Sequence, residues 1–214
     1  MSGYDRFSVG DRGSLWVESL VSPYRRETID ALGDCAGGSV LDLACGEGEN
    51  FDYWRLGSKH APAWVIGVDA SIRKLREAHQ RVRQGGWKNA VLLQIEDYAL
   101  EQPLFSEYWR SDGFDGVVCT LGLTALQDWE QVFARSFSLL KPGGRYAILD
   151  RYNSKDESDP ASEGTSPAPD FTRRVWESLE RASDDFQMRF LDASPRALGG
   201  NLYLAWGSRK LITH

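Results

Sequence analysis

The sequence predicts an open, twisted α/β sheet of about seven strands, mostly parallel, with helices on both faces and an antiparallel strand at the C-terminal end. Three observations predict it. Short apolar runs alternate with amphipathic stretches five times, the pattern of parallel strands joined by crossover helices. The first two runs end in small residues and in an acid, at the carboxyl ends where open sheets hold their ligands. Two further apolar runs follow near the end of the chain without a helix between them, which suits an antiparallel pair.

Residues 14–32 place Leu15, Trp16, Leu20, Val21, Ile29 and Leu32 near helical spacing, as one or two helices interrupted near Pro23. Residues 39–44 and 64–68 form the first two strands. Residues 71–82 form a charged amphipathic helix with Ser71 as its N-cap. Residues 91–95 are the third strand, and 114–120 the fourth, entered through a turn at Asp112 and Gly113. Asp128 and Gln131 resemble a capping signal for a helix that runs to Leu140. Lys141-Pro142-Gly143-Gly144 is a turn before a fifth strand at 145–150. Residues 154–169 carry Ser, Asp, Glu, Gly and Pro with almost nothing apolar, and are expected to be a flexible loop. A helix at 171–182 and strands at 186–191 and 202–206, joined through Gly199 and Gly200, complete the elements. Residues 1–214 thus make one domain: an N-terminal helical cap (1–33), a ligand-binding core (34–153), the loop (154–169), and a C-terminal helix and strand pair (170–214).

A formal net charge of -6 leaves no basic surplus to displace counterions, so nucleic acid is not an expected partner. Arg73, Lys74, Arg76, Arg81 and Arg83 are the solvated face of a helix in this reading. Cys35, Cys45 and Cys119 form no C-x-x-C pair, which argues against a disulfide framework or a metal site and for a reducing compartment. The polar start lacks an apolar signal core, and no apolar run reaches the roughly 18 residues of a spanning helix. The expectation is a cytoplasmic protein without integral membrane association, a monomer or homodimer.

The chemistry concentrates in Val40-Leu41-Asp42-Leu43-Ala44-Cys45-Gly46-Glu47-Gly48. Small residues after a buried strand let the backbone approach a ligand closely, and a following helix would offer free N–H groups. Asp69 ends the second apolar run, 21 positions beyond Gly48. A carboxylate about 20 residues after a glycine turn, at a strand tip, suits ribose hydroxyls. A dinucleotide turn wants a third glycine where this chain has Phe51. Glu47 and Glu49 also place negative charge where a pyrophosphate would sit. A nucleoside cofactor with a positive centre and no phosphate fits better.

Together with three later segments, these residues resemble the class I S-adenosylmethionine-dependent methyltransferases of the small-molecule, quinone and lipid-amine type. Residues 40–48 resemble their D-x-G-x-G-x-G motif, with Ala44 replacing the first glycine. Residues 65–71 resemble the strand ending in the ribose-binding acid. Glu96-Asp97-Tyr98 resembles the motif after the third strand, 114–120 the fourth-strand motif, and 140–145 the L-x-P-G-G turn. The resemblance covers residues 14–153 and implies a Rossmann-like fold and S-adenosylmethionine as cofactor. By that resemblance Ala44, Cys45, Gly46 and Gly48 line the methionine part, and Asp42 bonds the turn or the cofactor amine. Asp69 holds both ribose hydroxyls, with Ser71 beside it, and Ala70 touches the adenine. Glu96, Asp97 and Tyr98 stand at the adenine, and Cys119 and Thr120 flank the methionyl chain.

The resemblance also places a small-molecule methyl acceptor under the N-terminal elements and the segment after the fifth strand. Tyr4, Phe7, Trp16 and Tyr24 are candidates for an aromatic wall, or else simply dock the N-terminal helix. Leu123 and Arg151 are further acceptor contacts, and Arg151 and Tyr152 are the catalytic candidates. Many relatives carry a histidine after the fourth strand, where this chain has Leu123-Thr124-Ala125-Leu126-Gln127. That absence favours an amine, or an acceptor that is already acidic, with transfer to N or O driven by proximity. Two alternatives stay open: a nucleotide-dependent oxidoreductase on a similar sheet, and a non-catalytic partner protein that binds S-adenosylmethionine.

Overall fold

The computed structural model describes residues 11–54, 61–109, 113–153, 170–192 and 200–211, with backbone alone for 11–17. The strands are β1 (Ser39–Leu43), β2 (Trp64–Asp69), β3 (Ala90–Gln94), β4 (Phe114–Thr120), β5 (Leu140–Tyr152), β6 (Gln187–Phe190) and β7 (Asn201–Ser208). They form one seven-stranded sheet in the order β3-β2-β1-β4-β5-β7-β6. The first five strands are parallel, and β7 runs antiparallel to both β5 and β6.

The helices are α1 (Asp11–Asp30), α2 (Ile72–Gly85), α3 (Trp129–Ser138) and α4 (Val175–Ala182). All five residues of β1 are buried, as a central strand covered on both faces requires. Val40 packs in a cluster with Ile29 and Leu32 at the end of α1 and Val82 of α2. Leu41 and Leu43 belong to the opposite cluster, with Val132 and Phe133 of α3 and Val175 and Leu179 of α4. Each fully buried side chain of this kind contributes about 1.5–3 kcal/mol. Helices thus lie on both faces, as the alternation predicts.

Several expected boundaries move, each for a local reason. α1 is one 20-residue helix that contains Pro23 rather than breaking at it. Pro23 is exposed, while Val21, Arg25, Thr28 and Ile29 keep the opposite side buried across the missing N–H. α3 ends at Ser138 because Leu140 already pairs with Phe114. Asp128 is its N-cap but makes no side-chain cap bond, so the sequence signal is not realised as a capping box.

Residues 141–144 are part of β5, not a turn ahead of it. Pairing passes from Phe114↔Leu140 to Gly116↔Arg145, so β5 bulges outward between them. Gly143 turns at φ +77, and its N–H donates to Arg209 O at 2.9 Å. The expected helix at 171–182 shortens to α4. Asp170 Oδ1 accepts from Thr172 N at 3.0 Å and Thr172 Oγ1 at 2.6 Å, a local turn that competes with helix. The readings of residues 154–169, Asp112 and Gly199 lie outside the described residues.

Candidate functional site

Beyond β1 the backbone takes three left-handed residues in quick succession: Ala44 (φ +53), Gly46 (φ +59) and Gly48 (φ +81). A Cβ on Gly48 would come within 3.1 Å of Ala78 Cβ, so the turn is pressed against α2. A Cβ on Gly46 would meet only Glu49 Oε2, at 3.5 Å, which leaves that side of the backbone open to a ligand. The α-helix expected after the turn is a short 3-10 helix, Glu49–Tyr53. It is too brief to aim a helix dipole at a pyrophosphate. Phe51, at the third-glycine position, is fully buried and stacks on Trp87 with ring centroids 6.0 Å apart.

Two buried aspartates frame this turn. Asp69, at the tip of β2, accepts from Gly46 N (3.0 Å) and from Ser71 N (2.8 Å). It therefore ties the glycine turn to the N-cap of α2, where Ser71 Oγ accepts from Lys74 N at 3.4 Å. Asp42, in β1, accepts from Asn50 Nδ2 through Oδ1 at 2.9 Å. Its Oδ2 is buried and has no hydrogen-bond partner. Burial pushes the Asp42 carboxyl up to about 7, opposed by Asn50 and Arg25 and reinforced by Glu49 and Asp69. Burial raises Glu49 as well.

A neutral or anionic group would do nothing for this surplus of carboxylates. A ligand bringing an ammonium and a sulfonium would offset it, and the bare Asp42 oxygen is an acceptor for one ammonium proton. The residues present therefore fit S-adenosylmethionine, and fit a pyrophosphate poorly. Arg81 and Arg73 of α2 neutralise only the outer rim, pairing with Asp52 (2.5 Å) and Glu47 (3.9 Å). That gives two members of the basic helix face a task beyond solvation.

The other expected cofactor residues are distributed around the same strand ends. Thr120 Oγ1, at the end of β4, accepts from Asn50 Nδ2 at 3.2 Å. Burial holds the Cys45 and Cys119 thiols well above their ordinary range, so neither is a ready nucleophile. Ala70 is half-buried beside Asp69, and Glu96 and Asp97 are exposed beyond β3. Tyr98 has φ +45, and its ring is buried in the core rather than laid open beside a ligand.

On the acceptor side the expected residues diverge. Tyr24 is half-buried and donates to Asp192 O at 2.9 Å, linking α1 to the end of β6. Leu123 is fully buried in the core, so packing rather than acceptor contact accounts for its side chain. Arg151 lies 4.2 Å over the Phe171 ring, with its guanidinium pKa lowered by burial. Tyr152 packs edge-on against Trp176 at 4.9 Å, and Arg174 lies over its ring at 5.9 Å. Tyr4 and Phe7 lie outside the described residues, as does the Trp16 side chain. His79 is exposed on α2, and the positions of His60 and His214 are likewise outside.

Sequence reasoning missed the two residues that join these parts. Arg25 is 6% exposed and donates through Nη1 to Asn50 Oδ1 at 2.9 Å. Asn50 is 2% exposed and sits between Asp42, Thr120 and Arg25. Asn50 had a usable signal: an amide two residues past the last glycine, where a hydrophobic residue would pack more cheaply. Arg25 had none, because an arginine on an amphipathic helix reads as solvent-facing.

A methyltransferase domain family matches residues 35–182 of the chain. Demethylmenaquinone methyltransferase of Lactococcus lactis subsp. lactis is 33% identical over 129 residues, 59% of this chain and 47% of that protein. The enzyme of the same name from Listeria welshimeri is 29% identical over 150 residues, 69% of this chain and 57% of its own length. The chain thus spans about half the length of the curated relatives it matches. Among solved structures, Haemonchus contortus phosphoethanolamine N-methyltransferase 2 in complex with S-adenosyl-L-methionine superposes with a TM-score of 0.69. It shares 16% identity and covers 99% of this chain and 60% of that one. The YcgJ protein of Bacillus subtilis superposes at 0.65 with 15% identity, over 90% of this chain and 100% of that one. With the glycine turn, the strand-end acids and the 3-2-1-4-5-7-6 sheet in place, the chain belongs to the methyltransferase domain family, of the class I S-adenosylmethionine-dependent kind.

Proposed function

We propose that the chain moves the methyl group of S-adenosylmethionine to a small-molecule acceptor, at nitrogen or oxygen, by in-line displacement. One observation carries the reading: a buried carboxylate, Asp42, keeps one oxygen bare beside a glycine turn ringed by further acids. The bound cofactor would supply an electrophilic methyl on a sulfonium, whose leaving group is a neutral thioether. Asp42 would receive the ammonium, and the open backbone at Gly46 the methionine stem. Asp69 would accept from the ribose through lone pairs beyond those given to Gly46 and Ser71. Asp97 would accept from the adenine amino group. No histidine among the described residues faces this group, so positioning and exclusion of water are the main contribution of the protein.

An aromatic acceptor of the quinone class is a second reading. It is favoured by the relatives named demethylmenaquinone methyltransferase and by Arg151, a cation that would steady a developing oxyanion. A screen of amines, phenols and reduced naphthoquinones with labelled cofactor separates the two. The oxidoreductase alternative predicts enhanced NADH fluorescence on mixing, and the non-catalytic alternative predicts cofactor binding with no labelled product in any screen.

The direct test is thermal denaturation with S-adenosylhomocysteine. Ligand at 100 times its Kd is expected to add about 2.7 kcal/mol of stability. An unchanged melting temperature at millimolar ligand would overturn the cofactor assignment.

A further inference from the structure

Helix α1 carries an arginine inside the protein, and its donors point two ways. Nε and Nη2 grip the Glu18 carboxylate at 2.8 and 2.7 Å, within α1 itself. Nη1 leaves the helix and donates to Asn50 Oδ1 at 2.9 Å. Asn50 then donates to Asp42 Oδ1 at 2.9 Å. An arginine only donates, and an ionised carboxylate only accepts. The amide of Asn50 can therefore face only one way between them. The result is an unbroken line, Glu18–Arg25–Asn50–Asp42, from α1 to the carboxylate whose other oxygen is bare.

If docking α1 were the whole purpose, apolar side chains would serve as well or better than an arginine buried against a half-exposed glutamate. We propose that Arg25 is a positioning residue for the cofactor: acting through Asn50, it holds Asp42 in the orientation and charge state that receive the cofactor's ammonium. The proposal rests on the methyltransferase reading. Its second consequence is coupling. A ligand that completes Asp42 would also tighten the line to Arg25 and so hold α1 more firmly against the cofactor site.

The groups around Asp42 decide the sign of the pH dependence. From α1, Arg25 favours the ionised form, while Glu18 acts on the neighbouring Glu49. From the glycine turn, Glu49 disfavours it, with Glu49 itself eased by Arg25 and Arg81. From β2, Asp69 disfavours it. The Cys45 and Cys119 thiols nearby stay neutral. With burial pushing the Asp42 carboxyl up to about 7, cofactor affinity is expected to fall as pH drops through neutrality. Without Arg25 the carboxyl moves higher still, and the fall begins at a more alkaline pH.

The test is S-adenosylhomocysteine titration by calorimetry from pH 6 to 9, on wild type, Arg25→Met and Arg25→Lys. Arg25→Met is expected to bind at least tenfold more weakly at pH 7 and to recover much of that loss by pH 9. Arg25→Lys keeps the charge without the fork, preserves the fold should Arg25→Met not, and is expected to show a smaller displacement in the same direction. Hydrogen exchange supplies a second readout: ligand should protect the amides of α1 in wild type and less so in the variants. Equal affinity in the Arg25→Lys and wild-type proteins at every pH overturns the proposal. So does uniform weakening without movement of the pH profile, which is what a merely structural arginine gives. Failure of the wild type itself to bind would instead remove the methyltransferase reading beneath it.

Discussion

Three aspartates, Asp42, Asp69 and Asp150, are sealed inside this protein near the carboxyl ends of the same sheet, and two of them, Asp150 and Asp42, are finished differently. Asp150, in β5, accepts from Thr124 Oγ1 (2.6 Å) and Arg151 N (2.8 Å) through Oδ1, and from Thr124 N (3.0 Å) through Oδ2. Asp42, in β1, has one partner on Oδ1 and none on Oδ2. Both are fully buried, and burial pushes both carboxyls upward. The difference separates architecture from recognition. Asp150 clamps the segment after β4, which Arg173 also holds by donating to Leu126 O. Asp42 keeps an acceptor that no protein group among the described residues uses, which a ligand's ammonium can take up.

The largest effect expected from this contrast is Asp150→Ala. It leaves two backbone N–H groups and a hydroxyl in the interior without their acceptor, at about 1–3 kcal/mol each. A loss of roughly 3 kcal/mol or more is expected, which lowers the melting temperature by about 10 °C for a chain of this size. Affinity for S-adenosylhomocysteine in the folded fraction should stay within about threefold. Normal stability combined with lost binding would invert the comparison.

Asp42→Asn comes next and moves the two quantities in opposite directions. Its asparagine oxygen still accepts from Asn50, but the charge that receives the ammonium is gone, so binding should weaken about tenfold or more. Stability should hold or rise. The folded-state pKa of about 7 lies above the ordinary 3.8, so folded protein binds this proton more tightly than unfolded protein does. The resulting penalty is absent below about pH 4, grows as pH rises through 7, and is complete above it. The rise from 3.8 to about 7 sets a ceiling of about 4 kcal/mol. Urea denaturation at pH 5 and pH 8 checks the sign: the advantage of the variant must be larger at pH 8. A less stable variant at pH 8 would make Asp42 a second Asp150.

The two regions were unequally legible in the sequence, for physical reasons. Around β1 the constraints are local. Gly46 and Gly48 carry positive φ because the turn needs it, and Asp69 ends its strand where the backbone N–H groups of Gly46 and Ser71 converge. Around α1 and β5 the constraints are long-range. Inside the protein Arg25 meets Asn50 from 25 residues away as well as Glu18 of its own helix, and Asp150 meets Thr124 where it folds back. No periodicity encodes either meeting. The same holds for Pro23, whose helix survives through tertiary burial, and for residues 141–144, which join β5 because Arg209 meets them from beyond β7.

Backbone strain is one property the two regions share, and it allows the most delicate test. Ala44 follows β1 at φ +53, and Leu121 follows β4 at φ +55. For an alanine that conformation costs about 1–2 kcal/mol. Ala44→Gly releases it, but the unfolded chain gains freedom worth about 0.4–1 kcal/mol. The lost methyl, buried against the Gly122 backbone, forfeits about 0.8 kcal/mol more. These terms nearly cancel, so stability should change by less than about 1 kcal/mol. Binding of S-adenosylhomocysteine should change less than about twofold, because the recognition argued for Asp42 uses a carboxylate and an open backbone, not this methyl. A tenfold loss in Ala44→Gly, with stability unchanged, would mean that the methyl itself touches the ligand. The alanine at the first glycine position would then be a specificity element, and the cofactor site would reach two residues closer to β1 than the open backbone at Gly46 indicates.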